Sequence, residues 1–513
     1  YWQIMTYDIV IFTDVSSNRE IQRGLGAYKI AHEARQLGFS AVVIDYSSAI
    51  NFDRFKLIID KTVGDNTIAV GFSNTWFPYR TFNQYHVTGA LETGVTADAW
   101  DFENEYLNSD THLNSLSMNF AQNKSKKYVD YIKSINANCD CIIGGAKSFE
   151  YLQSPEFDKV FVGYSENHFR DYLQGKHKDQ RIVHYDMKSK LGDFDFNSSY
   201  VTYMDTDCIH SEEILTIEMS RGCIFNCKFC SYPHRNQKTK DFTKYQDVLY
   251  KELKDNYDKW GTYKYYITDD TFNDYTTKLE VIKEVIQSLD FNPQFEAYVR
   301  QDLVARQPQQ AKLMYDIGIR TTYYGLETWH DPTAKAIGKG GDLKMKIQGM
   351  KNCRDAWGDD VYVSTGIVVG LPKDTEQSIR DVLKWYKWEG GNEYIDNLHF
   401  NALIIKNKPE AMAFLFNSDI DLHPEKYGYK MNGMLDWTRS GEGDINTFAK
   451  AQKLADTANT YCQNVNKFPP KVWDPFSIYT AVCSHIPEDN LAERFFYYTE
   501  NYYFPQLMDK ING

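Results

Sequence analysis

No uninterrupted apolar run in this chain approaches the ~20 residues that a bilayer span needs. The opening YWQIMTYDIVIFTDV lacks a basic n-region and a small-residue cleavage site, so no signal peptide is expected. Low-complexity tracts and fixed-period repeats are absent as well. Positive charge is in deficit: 57 Lys and Arg against 70 Asp and Glu give a net charge of −13. That excludes a global basic footprint for nucleic acid, which is not expected as a partner, while a local basic channel stays open. The nine cysteines are an odd number, which argues against a fully paired secreted disulfide framework. A reduced, cytoplasmic setting is the expectation. What is present is ordinary globular material: 513 residues, 42% hydrophobic and 25% charged, long enough for roughly three domains at about 150 residues each.

Short apolar runs alternate with helical periodicity in two series. In the first, residues 7–15, 40–46, 66–73, 139–145 and 159–166 read as strands, and 24–38 reads as a helix closed by Gly38. Strands separated by helices predict a parallel, doubly wound, Rossmann-like or flavodoxin-like sheet. Residues 75–125 read as an insertion or long loop. The text from 174 to 212 is polar and irregular, as in a linker.

The second series places strands at 213–220, 263–270, 294–302, 320–328, 361–372 and 397–405, with helices between them. Six βα-type units, one short of a final helix, are too few for the eight-unit closed barrel and predict an open, partial TIM-like (βα)6 barrel. The expected divisions are an α/β domain at 1–175, a linker at 176–212, the barrel at 213–405, and a mainly α cap at 406–513. The cap is expected to close the barrel's open side and shape the substrate site, with Trp437, Trp473, Phe476 and the pair Tyr497–Tyr498 as lining or as plain core.

Cys223, Cys227 and Cys230 lie in RGCIFNCKFCSYP, directly after the first strand of the second series. Three thiolates spaced this way can wrap one face of a metal centre. A zinc site or a fully protein-ligated cluster wants a fourth ligand, for which His234 is the near candidate. Three cysteines on a four-iron cluster instead leave one iron open for chemistry. Chance core cysteines and structural zinc stand as the lesser readings. The other six cysteines, Cys139, Cys141, Cys208, Cys353, Cys462 and Cys483, form no second cluster pattern and read as ordinary core or surface residues.

With this context, the sequence resembles the radical S-adenosylmethionine (SAM) superfamily, whose signature is CxxxCxxC after the first strand of a partial barrel. The resemblance implies that Cys223, Cys227 and Cys230 hold a [4Fe-4S] cluster whose open iron binds SAM. Reductive cleavage of SAM would give methionine and a 5′-deoxyadenosyl radical. It also implies SAM contacts from Phe229 inside the motif, from Thr268, Asp269 and Asp270 after the second strand, and from Arg300 after the third. Glu327 and Thr328 would contribute from the fourth strand, and Gly366, Val368 and Gly370 from the fifth. Each has a plainer reading beside it: Asp269 and Asp270 as a strand end, Arg300 with Asp302 as an ion pair, Glu327 as a surface residue, and the glycines as close packing.

The first domain resembles the cobalamin-binding domain joined to many radical SAM enzymes. GLGAYKIAHEARQLGFSAVVIDY, GFSNT, IIGGAKS and FVGYSENHF carry the likeness in order. It implies that a cobalamin tail would lie near Ser73, Gly144, Gly145 and Gly163, in the crevice at the sheet's carboxyl end. The cobalt-ligating histidine motif DxHxxG is missing, and Gly163-Tyr164-Ser165-Glu166 replaces a GEGE-like segment.

The leading expectation is a cobalamin-dependent radical SAM methyltransferase acting on an unactivated carbon of a small-molecule or peptide substrate. A flavodoxin- or ferredoxin-like protein would supply electrons. The alternative is a radical SAM oxidase, cyclase or rearrangement enzyme whose first domain no longer binds cobalamin. A non-catalytic metal-binding module is third. Methylthiotransferases are less favoured, because their first domain brings three further cluster cysteines and this one offers only Cys139 and Cys141.

Overall fold

The computed structural model describes residues 6–14, 21–73, 125–145, 148–152, 154–184, 194–405, 418–432, 436–467, 481–487 and 491–512. The expected insertion at 75–125 (save its last residue), Trp473 and Phe476 lie outside the described residues.

Two six-stranded parallel sheets organise the chain. The first runs in the order β2-β1-β3-β4-β5-β6. Its strands are β1 (Ile9–Phe12), β2 (Ala41–Ile44), β3 (Ala69–Ser73), β4 (Asp140–Gly145), β5 (Lys159–Val162) and β6 (Ile182–His184). β1, β2 and β5 are buried at every position, as apolar runs covered on both faces should be. Ile9, Ile11, Val43 and Phe161 face helices Leu25–Gln36 and Glu166–Leu173, in a core continuous with that of the barrel. Val10, Phe12, Val42 and Val160 face the opposite layer.

The sheet extends past residue 175, because β6 falls inside the stretch expected to be linker. Only Val183 of its three residues is buried, so this edge strand carries no periodic apolar signature.

The second sheet keeps its strands in chain order: β7 (Ile214–Ile217), β8 (Lys264–Ile267), β9 (Gln294–Val299), β10 (Ile319–Glu327), β11 (Tyr362–Val369) and β12 (Asn397–Ala402). β7 and β12 do not pair, so the barrel is open. Each free edge is covered differently. At β7, the first domain lends Ile21, Gln22 and Arg23: Ile214 N–H donates to Ile21 O at 3.2 Å and Arg23 N–H to Ile214 O at 3.0 Å. At β12, two carboxamides stand in for a neighbouring strand. Phe400 N–H donates to Asn459 Oδ1 and Asn459 Nδ2 to Phe400 O, both at 2.8 Å. Asn466 brackets Leu398 in the same way, at 3.1 and 3.3 Å.

Asn459 belongs to helix Phe448–Cys462, the sixth barrel helix that the βα alternation appeared to lack. It is reached only after an excursion containing the antiparallel pair β13 (Tyr429–Met431) and β14 (Trp437–Arg439). The C-terminal region therefore does not act wholly as a lid on the barrel. Residues of helices Leu491–Tyr498 and Phe504–Asn512, among them Phe495, Tyr498, Phe504 and Leu507, join the core of the first sheet. Trp437 is fully buried and donates its indole N–H to Leu403 O at 2.9 Å, which makes it core.

A buried junction locks these parts together. Arg23 Nη2 donates to Glu213 Oε1 at 2.8 Å, and Arg23 Nη1 to Tyr28 OH at 2.8 Å. Tyr28 OH donates onward to Asp45 Oδ2 at 2.9 Å, and Tyr498 bonds Glu213. A buried charge pair adds little net stability, but leaving one partner alone is costly, so the set fixes how the pieces dock.

Candidate functional site

The cysteine loop leaves β7 through a turn built by buried polar groups. Asp269, just past β8, accepts the N–H groups of Met219 at 2.9 Å and Ser220 at 3.0 Å, as well as the Ser220 hydroxyl. Lys278 stands 3.6 Å from the same carboxylate. Gly222 then takes φ 121°, a left-handed conformation that a side chain would strain. Inside the loop, Cys223 N–H donates to His234 O at 3.0 Å and Gln237 N–H to Cys223 O at 2.9 Å. Lys228 N–H donates to Ile337 O at 2.8 Å, tying the loop to the segment Gly338-Lys339-Gly340-Gly341.

Each thiol has a polar neighbour. Cys223 Sγ lies 3.5 Å from the Thr271 hydroxyl, and Cys230 Sγ accepts the Tyr232 N–H at 3.4 Å. Arg300 Nη1 donates to Cys227 Sγ at 3.9 Å. Among the described residues, the three sulfurs are not all within 4.8 Å of one another. The His234 ring packs instead on Tyr164 (centroids 4.8 Å) and Tyr232 (5.8 Å), which does not place it as a fourth ligand. Burial raises the Cys223 thiol and pushes Cys230 up to about 12, so metal loading must displace protons. Three thiols on a preformed loop, with N–H and guanidinium donors aimed at sulfur, fit an iron–sulfur cluster.

Around this loop the structure gathers Thr268, Asp269, Asp270 and Arg300 at the carboxyl ends of β8 and β9. Asp269 is taken up by the turn just described. Asp270 opens to the cleft, yet the surrounding protein, then Asp269 and Glu218, push its carboxyl up to about 8. Arg300 is gripped by Asp302 at 3.0 and 2.8 Å and lies 3.6 Å over the Phe225 ring. It is thus both half of an ion pair and a neighbour of the cysteine loop. Phe229 is half-buried against the barrel core.

Glu327 sits at a register shift in β10 with φ 61°, an uncommon conformation for a residue with a side chain. Its Oε1 lies 3.4 Å from Lys339 Nζ. Buried Lys346 donates to Thr328 O at 3.2 Å, and burial followed by Lys339 lowers its ammonium to about 8. Thr328 is buried and accepts the His330 N–H at 3.1 Å. The fifth-strand glycines serve packing: a Cβ on Gly366 would lie 2.0 Å from Tyr323 OH, and one on Gly370 would lie 2.8 Å from Trp437. Val368, between them, is half-buried on the barrel core.

A cavity of about 330 Å³ lies between the carboxyl end of the first sheet and the barrel. Ser73, Gly144, Gly145 and Gly163 all line it, and Thr268 lies on its barrel side. A Cβ on Gly26, at the same wall, meets nothing within 4 Å, so the helix start there faces empty room. Size and glycine wall fit the insertion of a nucleotide-like cofactor tail.

Between cavity and cysteines stands a buried ionic group that local sequence patterns do not show. Arg221 Nη2 donates to Glu166 Oε1 at 2.8 Å and to Glu218 Oε2 at 2.9 Å. Lys29 bonds Glu218, and the Arg221 guanidinium lies 4.2 Å over the Tyr164 ring. The two cations hold Glu166 and Glu218 below the usual carboxylate range despite burial, which opposes them as the largest single influence. Its members are dispersed at positions 29, 166, 218 and 221.

Residues 217–386 match the family model of the Radical SAM superfamily, whose cofactors are a [4Fe-4S] cluster and SAM. A candidate methylthiotransferase of Methanocaldococcus jannaschii is 23% identical over 295 residues, which is 53% of this chain and 63% of that protein. Among solved structures, the cobalamin-dependent SAM radical enzyme OxsB, with aqua-cobalamin and SAM bound, superposes with TM-score 0.52 at 13% identity. That alignment covers 82% of this chain and 56% of OxsB. The radical SAM methyltransferase TsrM of Kitasatospora setae, with tryptophan and a SAM analogue bound, gives TM-score 0.56 at 11% identity, over 85% and 79% of the two chains. The chain thus spans less than two thirds of the curated relative and of OxsB. The shared fold is a Rossmann-like α/β domain followed by an open (βα)6 barrel.

Proposed function

We propose that this chain, a radical SAM domain joined to a cobalamin-binding-like domain, is a cobalamin-dependent methyltransferase acting on an unactivated carbon of a small-molecule or peptide substrate. The observation that carries the reading is the cavity in which Ser73, Gly144, Gly145 and Gly163 converge and which reaches Thr268, beside the cysteine loop. When bound, the cluster supplies the electron that splits SAM, and cobalamin supplies a methyl carrier.

The chain's own residues do the positioning. Cys223, Cys227 and Cys230 hold the cluster, and Asp269 fixes the turn that presents them. Arg300, Thr271 and the Tyr232 N–H place positive charge or donors at sulfur, which favours the reduced, more negative state. Asp270 offers a carboxyl oxygen to the SAM ammonium, whose positive charge would draw its raised pKa back down and favour the ionised form. Glu327, held by Lys339, offers a second polar contact at the carboxyl end of β10. The Arg221–Glu218–Lys29–Glu166 group lines the cavity between the two domains and holds that wall in place through its ion pairs. A flavodoxin- or ferredoxin-like donor would deliver electrons from outside. No helix among the described residues is long and apolar enough to cross a membrane.

Methylthio transfer is less well supported: Cys139 and Cys141 are buried in the first sheet, and burial pushes the Cys139 thiol up to about 12. Anaerobic reconstitution with iron, sulfide, SAM, a strong reductant and hydroxocobalamin tests the proposal. Retained corrinoid, with both S-adenosylhomocysteine and 5′-deoxyadenosine formed, supports it. 5′-Deoxyadenosine alone, with no corrinoid retained, would point to radical chemistry without methyl transfer.

A further inference from the structure

We propose that His168, Asp171 and His177 form a second metal site, for one divalent first-row cation such as Zn²⁺, on the first domain and apart from the cysteine loop. One ligand atom from each lies within 4.8 Å of the other two. Helix Glu166–Leu173 carries His168 and Asp171 three residues apart, on one face. His177 follows the helix end and returns toward it, with Nε2 4.0 Å from Asp171 Oδ2 and its ring centroid 5.6 Å from that of His168.

Two features separate this from a chance surface cluster. First, His177 is held in place by the fold. It adopts φ 56°, a left-handed conformation that needs support from its surroundings in a non-glycine residue. The support is Lys159, whose buried ammonium donates to His177 O at 2.8 Å, Lys178 O at 2.7 Å and Gln180 O at 2.9 Å. Second, the ring is oriented as a ligand. Its Nδ1 lies 2.7 Å from Gln180 Oε1, an acceptor, which puts the proton on Nδ1 and the lone pair on Nε2. That Nε2 is closed to solvent and has no hydrogen-bond partner among the described residues.

The other Asp171 oxygen, Oδ1, receives Lys176 Nζ at 2.6 Å and leaves Oδ2 for the ion. Two imidazoles and one carboxylate suit Zn²⁺ and its neighbours rather than Mg²⁺ or Ca²⁺. Bonds of about 2.0–2.1 Å put tetrahedral ligand atoms about 3.4 Å apart, so Nε2 and Oδ2 need close by less than about 1 Å. Three protein ligands leave a fourth position to water. The bound ion would staple the helix end to the loop that leads into edge strand β6.

The test uses the full chain with its cluster reconstituted anaerobically, so that the cysteines are occupied. Equilibrium dialysis against Zn²⁺, with elemental analysis, should find about one zinc per chain in addition to iron. His168→Gln and His177→Asn should each weaken zinc binding at least tenfold with iron unchanged; Asn is chosen because it tolerates the left-handed backbone. Gln180→Ala should weaken it about tenfold by releasing the ring. X-ray absorption at the zinc edge should show nitrogen and oxygen neighbours without sulfur. Absence of zinc at 100 μM free ion, sulfur in the first shell, or equal zinc in His177→Asn would each overturn the proposal.

Discussion

The Arg300 guanidinium donates to the Cys227 thiol sulfur at 3.9 Å while Asp302 holds its other edge. A cation against a cluster thiolate stabilises the reduced state, so its removal should make the cluster harder to reduce. Replacing Arg300 alone would strand a buried Asp302, so the double variant Arg300→Met/Asp302→Asn is the cleaner probe. Its reduction midpoint, followed by potentiometric EPR, should be more negative than that of the parent. An unchanged midpoint would leave Arg300 as an ion-pair partner only.

Iron content separates the ligand sets. Single Cys→Ala changes at 223, 227 or 230 should each reduce reconstituted iron from about four to below about one per chain. His234→Ala should keep its iron, because that ring packs on Tyr164 and Tyr232. Loss of metal in His234→Ala would revive a four-ligand site.

Gly26 offers a way to fill the interdomain cavity without harming the helix that carries it. A Cβ there meets nothing within 4 Å, and leucine is favoured over glycine in a helix by up to about 1 kcal/mol. Gly26→Leu should therefore keep the melting temperature, or raise it by a few degrees, while retained corrinoid falls at least about tenfold. Normal corrinoid in this variant would move the cofactor site elsewhere.

Buried histidines set the acid limit of stability. Burial lowers His399 to about 4, and burial with Arg35, Lys244 and Arg170 lowers His32 to about 4. Their folded values lie below the unfolded value of about 6.5. The stability they confer is thus complete above that pH and is lost as pH falls toward 4, by up to about 1.4 kcal/mol per pH unit for each. Asp45 has the opposite sign, since burial raises it to about 7 and its ionisation opposes folding as pH rises. Denaturant unfolding between pH 4 and 6.5 should show a shallower pH slope in His399→Leu, by about one proton's worth; an identical slope would exclude His399 as a contributor.

The barrel's last strand depends on two amides. Asn459→Leu or Asn466→Leu leaves an N–H and a C=O of β12 without partners, at a cost of about 1–3 kcal/mol each. Chemical denaturation should register that loss. A change below about 0.5 kcal/mol would mean that water reaches the edge and replaces the amide.

How far the sequence could be read depended on distance along the chain. The βα alternation was visible because each strand is a compact apolar run, and RGCIFNCKFC was visible because its three thiols fall within eight residues. Family likeness pointed to Ser73, Gly144, Gly145 and Gly163, and the fold brings them to one cavity. β6 escaped because three residues at a sheet edge have no period. The asparagine pair and the Lys29–Glu166–Glu218–Arg221 group escaped because their pairing exists only after the domains dock. At Gly366 and Gly370 the packing that needs a glycine was not legible, because Tyr323 and Trp437, which a Cβ there would strike, come from strands distant in the sequence.

The buried junction at Arg23 also carries a consequence for synthesis. Asp45 N–H donates to Tyr503 OH at 2.8 Å across 458 positions of sequence, and Tyr498 reaches Glu213 in the same junction. The first sheet is made early, yet part of its core comes from residues translated after the entire barrel. At 5–20 residues per second, roughly 20 to 90 s separate the two partners on the ribosome. During that interval Tyr46 and its neighbours lack their final cover, so the first domain is completed last.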